Sequence, residues 1–395
     1  MKKQILILEC GKGFGGALTS LKSFLDEVHD QSEFEFHLLT NYPQTLIGEK
    51  GAIKYTGILK RHKLYGPESR LERYLSRFSS KHSGHMAFLL DLVSSGFVYA
   101  VRVFIYIVGH RIDIVHLNNS ILINDYGMIA AVCANKRVIA QIRAPEYPSQ
   151  IAKFFSSMID HFLPVSKFVK HSLQVLGVED KKITILPEGI DSEEFNGLAD
   201  RPLPTGMPKQ NAVPVIGMIG CLVPWKGHEV FLKACQIILK QVNAEFLVIG
   251  DTPDGDPGYK NFLIEYAVVL GISESVHFLG HCPNVAPFIK KADIMVHAST
   301  EPEPFGRVVL EAMSLGKPVI ATAAGGPGEV ISNGIDGILI TPGNVNSMAD
   351  AVLKLIQNKI LRSKIGAFAR IKVKDQYSSA RHAAIILNTY KSMKR

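Results

Sequence analysis

The chain has 395 residues, 47% of them hydrophobic and 20% charged, a balance that excludes a disordered polymer and gives length enough for two domains with separate cores. Its formal charge of +8 points to anionic partners, whether phosphates, nucleic acid or acidic lipid, without choosing among them. Five cysteines, Cys10, Cys133, Cys221, Cys235 and Cys282, are odd in number and form no C-x-x-C pair, a pattern that suggests neither a disulfide framework nor a zinc site and fits a reducing, cytoplasmic compartment.

In chain order, MKKQILILECG begins like a signal peptide, but its apolar run is short and stops at Glu9, so it reads as a first β-strand. Short β-branched runs then alternate with helix-length amphipathic segments. The expected strands of the first half are QILILE, FEFHLL, DIVHLN, RVIAQIR, HFLPVS and KITILP; those of the second are VPVIGMIG, EFLVIGD, VHFLG, DIMVHAS, PVIAT and GILIT. Several are apolar almost throughout, as strands covered on both faces are. Between the halves RPLPTGMPKQN, rich in Pro, Gly and polar residues, reads as a linker. The expectation is an α/β chain of two Rossmann-like domains with parallel sheets facing across a cleft, one over residues 1–195 and one over 196–377, with ligands at the carboxyl ends of the strands. No helix-turn-helix, zinc or RNP pattern supports a nucleic-acid binder.

After the first strand, GKGFGGALTSL holds G-x-G-x-x-G at Gly11, Gly13 and Gly16 and then opens a helix. Such glycines let a backbone approach a pyrophosphate, or simply make a tight turn without a ligand. A nicotinamide enzyme wants an acid closing the second strand, where this chain has Leu39, Thr40 and Asn41. In the second half, Lys226 and Gly227 of CLVPWKGHEVFLKA precede a helix with Val230, Phe231, Ala234 and Ile238 on one face. A lysine there adds a full charge to the partial one of a helix N-terminus, or else sits solvated in a surface turn.

The stretch EPEPFGRVVLE is the most informative. Pro302 and Pro304 hold their predecessors extended, Gly306 admits a sharp turn, and from Arg307 RVVLEAMSLG reads as a helix closed by Gly316 and Pro318. Glu303 then precedes that helix and Glu311 lies about one turn inside it, with unpaired N–H groups between them. The arrangement suits a sugar joined through a diphosphate to a nucleoside; the alternative is an i,i+4 ion pair between Arg307 and Glu311.

With VIGMIGCLVPWKG, ADIMVHAS, EPEPFGRVVLEAMSLGKPVIA, AGGPGEVI and NGIDGILITPGN, and more thinly with FGGALTSL, DIVHLNN and ILPEGID, the chain resembles the retaining GT-B glycosyltransferases of family 4. The resemblance implies transfer of a sugar from a UDP- or GDP-linked donor to a hydroxyl, without metal or other cofactor. It implies that Glu303 contacts hydroxyls of the donor sugar, that Phe305, Gly306, Arg307 and Val308 border the sugar and diphosphate, and that Glu311 binds the ribose. Lys226 then binds the diphosphate, Gly16 approaches the phosphates from the opposite lobe, and the base sits near Gly280 and His281. The last segment, from residue 378, is expected to return to the first domain, as the final helix of such folds does.

Two positions depart from the family. Cys221 stands where members commonly carry an arginine, and Arg143 where many carry a histidine; an arginine is no base at neutral pH but can bind an acidic acceptor or the departing phosphate. Asp254 and Asp256 form the one D-x-D, in a Gly/Pro loop that reads as solvated rather than metal-binding. Residues 54 to 85 carry eight basic side chains, Lys54, Lys60, Arg61, Lys63, Arg70, Arg73, Arg77 and Lys81, against Glu68 and Glu72. The apolar MAFLLDLVSSGFVYAVRVFIYIVG follows, interrupted by Asp91 and Arg102 and followed at once by a strand of the sheet, which argues against a membrane span. It reads as a buried helix pair or as a surface that rests on anionic lipid, near a saccharide or lipid-linked acceptor of lipopolysaccharide or polysaccharide synthesis. A nucleotide-sugar binder without transferase activity is the competing reading.

Overall fold

The structure, a computed structural model, describes residues 2–9, 16–30, 32–40, 53–58, 96–122, 125–202, 213–253 and 257–393. Runs that are apolar on both faces become parallel strands flanked by helices, as burial of both faces requires. Six of them, β1 (Lys3–Glu9), β2 (Phe34–Thr40), β3 (Ile53–Ile58), β4 (Ile114–Leu117), β5 (Arg137–Ile142) and β6 (His161–Pro164), form one sheet in the order β3-β2-β1-β4-β5-β6. Six more, β7 (Val215–Ile219), β8 (Glu245–Ile249), β9 (Val276–Gly280), β10 (Ile294–His297), β11 (Val319–Thr322) and β12 (Ile338–Ile340), form a second in the order β12-β11-β10-β7-β8-β9. Every neighbouring pair is parallel. Both orders follow one doubly wound scheme: each sheet grows to one side of its first strand, then returns and grows to the other. Winding reverses between β1 and β4 in one sheet and between β7 and β10 in the other.

The chain divides into two compact units. Unit 1 comprises Met1–Val165, Val169–Leu186 and Ala383–Arg395; unit 2 comprises Ser166–Phe168 and Pro187–His382. Residues 187–195, assigned from sequence to the first domain, make their contacts in unit 2: the Ile190 N–H donates to the Tyr377 carbonyl at 2.9 Å, and the Ser379 N–H to that of Ile190 at 3.1 Å. In unit 1, α1 (Gly16–Glu27) buries Leu18, Leu21, Phe24 and Leu25 against Ile5, Ile7, Phe36 and Leu38. Helices α2 (Phe97–Gly109), α3 (Asp125–Cys133), α4 (Gln150–Ser157) and α5 (Lys167–Val175) follow, with α2 packed on α3. In unit 2, α6 (Ser192–Ala199), α7 (His228–Leu239), α8 (Gly258–Val269), α9 (Ala286–Lys291), α10 (Arg307–Ser314), α11 (Gly326–Val330), α12 (Val345–Gln357) and α13 (Lys359–Gln376) cover the second sheet. Phe231 of α7 meets Phe246 of β8 edge-on at the centre of that core.

The last helix, α14 (Ser379–Ser392), gives Ala383, Ile386 and Tyr390 to the core of unit 1. The Tyr390 hydroxyl lies 2.5 Å from His116 Nδ1, and Lys3 Nζ donates to the carbonyls of Tyr390 and Met393 at 3.0 and 2.8 Å. KITILP, expected as a strand, forms an isolated parallel bridge from Ile183 to Phe162, with Thr184 and Leu186 donating to the Phe162 and Pro164 carbonyls, and no further ladder; its last residue, Pro187, lacks an N–H. Strand β3, IKYTGI, was not expected from sequence. The basic cluster beyond Lys54, the apolar residues 86–95 and the D-x-D aspartates lie outside the described residues.

Candidate functional site

The reversal in unit 2, between the carboxyl ends of β7 and β10, is where a doubly wound sheet opens to ligand. The chain leaving β7 makes a single 3₁₀ turn, Pro224–Lys226, before α7. Gly227 links the two at φ +78°, and a Cβ on it would stand 2.1 Å from the Ala298 carbonyl oxygen, so only glycine lets the turn lie on the chain leaving β10. Thr300 fastens the turn by donating its N–H (2.8 Å) and hydroxyl (3.1 Å) to the Trp225 carbonyl. Lys226 Nζ lies 4.2 Å from the centre of the Trp225 ring and 2.5 Å from Glu303 Oε2.

Glu303 is held from the other side by the glycine-rich run after β11. Its N–H donates to the Ala324 carbonyl at 3.3 Å, and its carbonyl accepts from Gly326 at 2.8 Å. A Cβ at Gly325, where φ is +74°, would come within 2.1 Å of the Glu303 carbonyl oxygen, and one at Gly326 within 2.3 Å of the Phe305 Cα. The residue is 8% exposed, and the described contacts of its side chain converge on a single oxygen. His297 Nε2 (3.2 Å) and the Ser299 hydroxyl (3.1 Å) join Lys226 at Oε2, while Oε1 has no hydrogen-bond partner among the described residues. Burial pushes the Glu303 pKa up, but the hydrogen bond from His297 and the charge of Lys226 outweigh it and hold the carboxyl at about 2. Glu303 is therefore an anion at every physiological pH, an acceptor for hydroxyls rather than an acid.

His228, the first residue of α7, is fully buried; desolvation, then the Lys226 charge, lower its pKa to about 4, so its ring is neutral. Helix α10 starts behind Gly306 at φ +84°, and the N–H groups of Arg307 and Val308 have no partner within the helix, while that of Val309 donates to the Gly306 carbonyl at 2.8 Å. Arg307 does not stand as an open cation beside them. Its Nε meets Glu311 Oε1 at 3.2 Å, its Nη1 meets Glu188 Oε2 at 3.5 Å and donates to the Gly189 carbonyl at 3.3 Å. Burial raises the Glu311 pKa, Arg307 opposes this, and Glu188 adds to it. Phe305 is 6% exposed and meets the Tyr377 ring edge-on at 6.3 Å, which makes it a wall of the core.

Lys226, Glu303, Gly306, Arg307, Val308 and Glu311 thus belong to one stretch of unit 2. Gly280 and His281 lie at the end of β9, beside Asp251, whose carboxylate is held down by a hydrogen bond from Lys260 (3.0 Å) and one from the His281 backbone. Cys221 directs its Sγ to the Asp251 carbonyl at 3.3 Å. Within unit 1, Gly16 opens α1, and Arg143 follows β5, where it donates from Nε and Nη2 to the Asn118 carbonyl and Oδ1 at 3.1 and 3.2 Å. Asn118 and Asn119 in turn donate to Glu9, which closes β1 at 1% exposure. Gly11 and Gly13 lie outside the described residues.

His297, Ser299, Glu188, Glu9 and Asn118 were missed from sequence. Three of them carried a signal: a polar residue ending or directly following an apolar strand, as in IMVH-A-S and ILILE, is buried where the sheet opens.

Two doubly wound sheets in this order, with a charged cluster at the reversal of the second, define the GT-B fold. Residues 206–372 match the family model of the glycosyl transferases group 1. An uncharacterized glycosyltransferase of Methanocaldococcus jannaschii, MJ1178, is 31% identical over 54% of this chain and 54% of its own length. The lipopolysaccharide core biosynthesis glycosyltransferase LpsE of Rhizobium meliloti is 27% identical over 42% of this chain and 48% of its own. Among solved structures, Anabaena HepE in complex with UDP-glucose aligns with a TM-score of 0.76 at 21% identity, covering 99% of this chain and all of that one, a likeness of fold. The chain spans about half the length of the curated relatives it matches.

Proposed function

We propose that the chain is a retaining glycosyltransferase of family 4, moving a sugar from a UDP- or GDP-linked donor to a hydroxyl of a saccharide or lipid-linked saccharide in cell-surface polysaccharide or lipopolysaccharide synthesis. The observation that carries this reading is the ionised Glu303, with Oε1 open and Oε2 tied to Lys226, ahead of the bare N-terminus of α10. One ammonium hydrogen of Lys226 serves Glu303, which leaves two for diphosphate oxygens. Those oxygens would share Lys226 with the N–H groups at residues 306–308, donors already in place for the charge that develops as the sugar departs. Glu303 Oε1 takes a sugar hydroxyl, Glu311 the ribose, and the base lies by Gly280 and His281. Phe305 backs the sugar, Val308 borders it, and Arg307 acts by holding Glu311. Gly16 and Arg143 keep the phosphate and acceptor roles that the resemblance gives them. HepE, of the same fold, was crystallised with UDP-glucose, which supports a nucleotide-sugar donor.

Screening UDP- and GDP-sugars for protection against thermal unfolding, followed by an assay of acceptor-dependent nucleoside diphosphate release, tests the reading. Cys221, in place of the family's usual arginine, favours a second one, a nucleotide-sugar binder that transfers nothing. Protection without release supports that alternative; neither protection nor release removes both.

A further inference from the structure

Three donors meet at Glu303 Oε2, and they differ in what carries them. Lys226 Nζ, at 2.5 Å, ends a flexible four-carbon stem, and it is the donor on which a diphosphate would draw. His297 Nε2, at 3.2 Å, and the Ser299 hydroxyl, at 3.1 Å, come instead from the end of β10 and the chain just beyond it, where both residues are buried. A bare lone pair at His297 Nε2 would face the lone pairs of the carboxylate, so this nitrogen carries a hydrogen. Nδ1, across the ring, is buried and has no hydrogen-bond partner among the described residues. The polar contacts of the ring therefore lie at Glu303 and, at 3.4 Å, the Ser299 hydroxyl. A buried nitrogen without a partner costs free energy that an aliphatic side chain would not, and the rest of β10 is Ile294, Met295 and Val296. Packing does not account for an imidazole here; the carboxylate does.

A carboxylate has two like oxygens, and turning it about its last bond exchanges them. Donors gathered on one oxygen break that symmetry: they fix the plane of the group and leave Oε1 to face a ligand. Lys226 alone is a poor anchor for this, since phosphate oxygens compete with Oε2 for its hydrogens once a donor binds. His297 and Ser299 escape that competition, because burial keeps both away from the phosphates. We propose that His297, with Ser299, is a positioning residue: it holds Glu303 Oε2 while Lys226 turns to the diphosphate, and so keeps Oε1 set for one hydroxyl of the donor sugar. The proposal rests on Glu303 and Lys226 being donor contacts. What it adds is the group through which the site tells a nucleotide sugar from a bare nucleoside diphosphate.

The test is calorimetric titration of the full chain with a panel of UDP- and GDP-sugars and with UDP and GDP themselves. His297→Leu is expected to weaken binding of the nucleotide sugar about tenfold and of the matching diphosphate by less than about twofold. The retained diphosphate then shows that unit 2 is still folded. His297→Gln, whose side-chain amide can donate to Oε2, is expected to bind the nucleotide sugar within about threefold of wild type. In a Glu303→Ala background, His297→Leu is expected to change nothing further, since its effect passes through that carboxylate. Equal weakening of nucleotide sugar and diphosphate, a glutamine variant no better than the leucine one, or full additivity with Glu303→Ala overturns the proposal, as does a His297→Leu protein that binds like wild type. Wild type that binds a diphosphate but none of the sugar nucleotides overturns this inference alone. Wild type that binds neither removes the donor reading as well.

Discussion

The two points at which the sheets reverse winding each hold a buried carboxylate, and they hold it by different means. In unit 1, Glu9 closes β1 and accepts hydrogen bonds from the neutral amides of Asn118 and Asn119, with Arg143 bound to Asn118 behind them. In unit 2, Glu303 follows β10 and gathers an ammonium, an imidazole and a hydroxyl on one oxygen. A carboxylate that accepts from side-chain amides suits recognition by hydrogen bonding. One fixed by a lysine with N–H groups to spare, next to a bare helix end, draws anions. The strand order selects the place, and the side chains at the strand ends select the ligand.

The largest effect is expected from taking the cation out of the second cluster. Lys226→Met should lower donor-dependent nucleoside diphosphate release by about 10²–10³-fold, the usual effect of losing one preorganised donor; a loss below tenfold would remove Lys226 from the reaction. Gly325→Ala separates the scaffold from the chemistry. Its Cβ would overlap the Glu303 carbonyl, at a cost of about 3 kcal/mol read from urea unfolding. Gly334→Ala, at a similar φ of +77° but with open space around it, should cost about 1 kcal/mol.

Acid should weaken unit 2 in two stages. His228 is held neutral in the fold, with a pKa lowered from 6.5 to about 4, so the folded state binds fewer protons than the unfolded one across that window. Its contribution is complete above pH 6.5 and falls by about 3 kcal/mol as pH drops to 4. His228→Leu should flatten that part of the stability curve. Glu303, lowered from 4.5 to about 2, contributes fully above 4.5 and loses its share as pH falls toward 2. In unit 1, Glu9→Gln would set an amide against two amide donors and is expected to cost about 1–2 kcal/mol of unfolding free energy. Smallest is Arg307→Lys, about 1 kcal/mol, since a lysine cannot bridge Glu311, Glu188 and the Gly189 carbonyl together. A neutral result there would detach Glu311's placement from Arg307.

Much of this was legible in the sequence because the rules involved are local. Pro302, Pro304, Gly306, Gly316 and Pro318 bound an extended loop and a helix wherever the rest of the chain goes, and α10 starts at Arg307 as the pattern required and ends at Ser314, before Gly316. Apolar runs such as LILE and IMVH became central strands because a parallel sheet covered on both faces accepts little else. What escaped was set by contacts distant in the chain. That Arg307 is shared between Glu311 and Glu188 depends on a segment more than a hundred residues earlier. That His297 and Ser299 turn toward Glu303 depends on the glycine run at 325–328 pressing the loop back on β10. β3, with glycine and lysine among its six residues, lacks the unbroken apolar run that marked the other strands.

The return of α14 to the first sheet has a consequence for biosynthesis. Ala383, Ile386 and Tyr390 are made after all of unit 2, yet they fill a core whose other walls precede that unit in the chain, and Lys3 is tied to the carbonyls of Tyr390 and Met393. The nascent amino-terminal half must wait with part of its greasy interior open until unit 2 has been synthesised. A stop codon placed just before Ala383 would therefore injure the region made first more than the region made just before it.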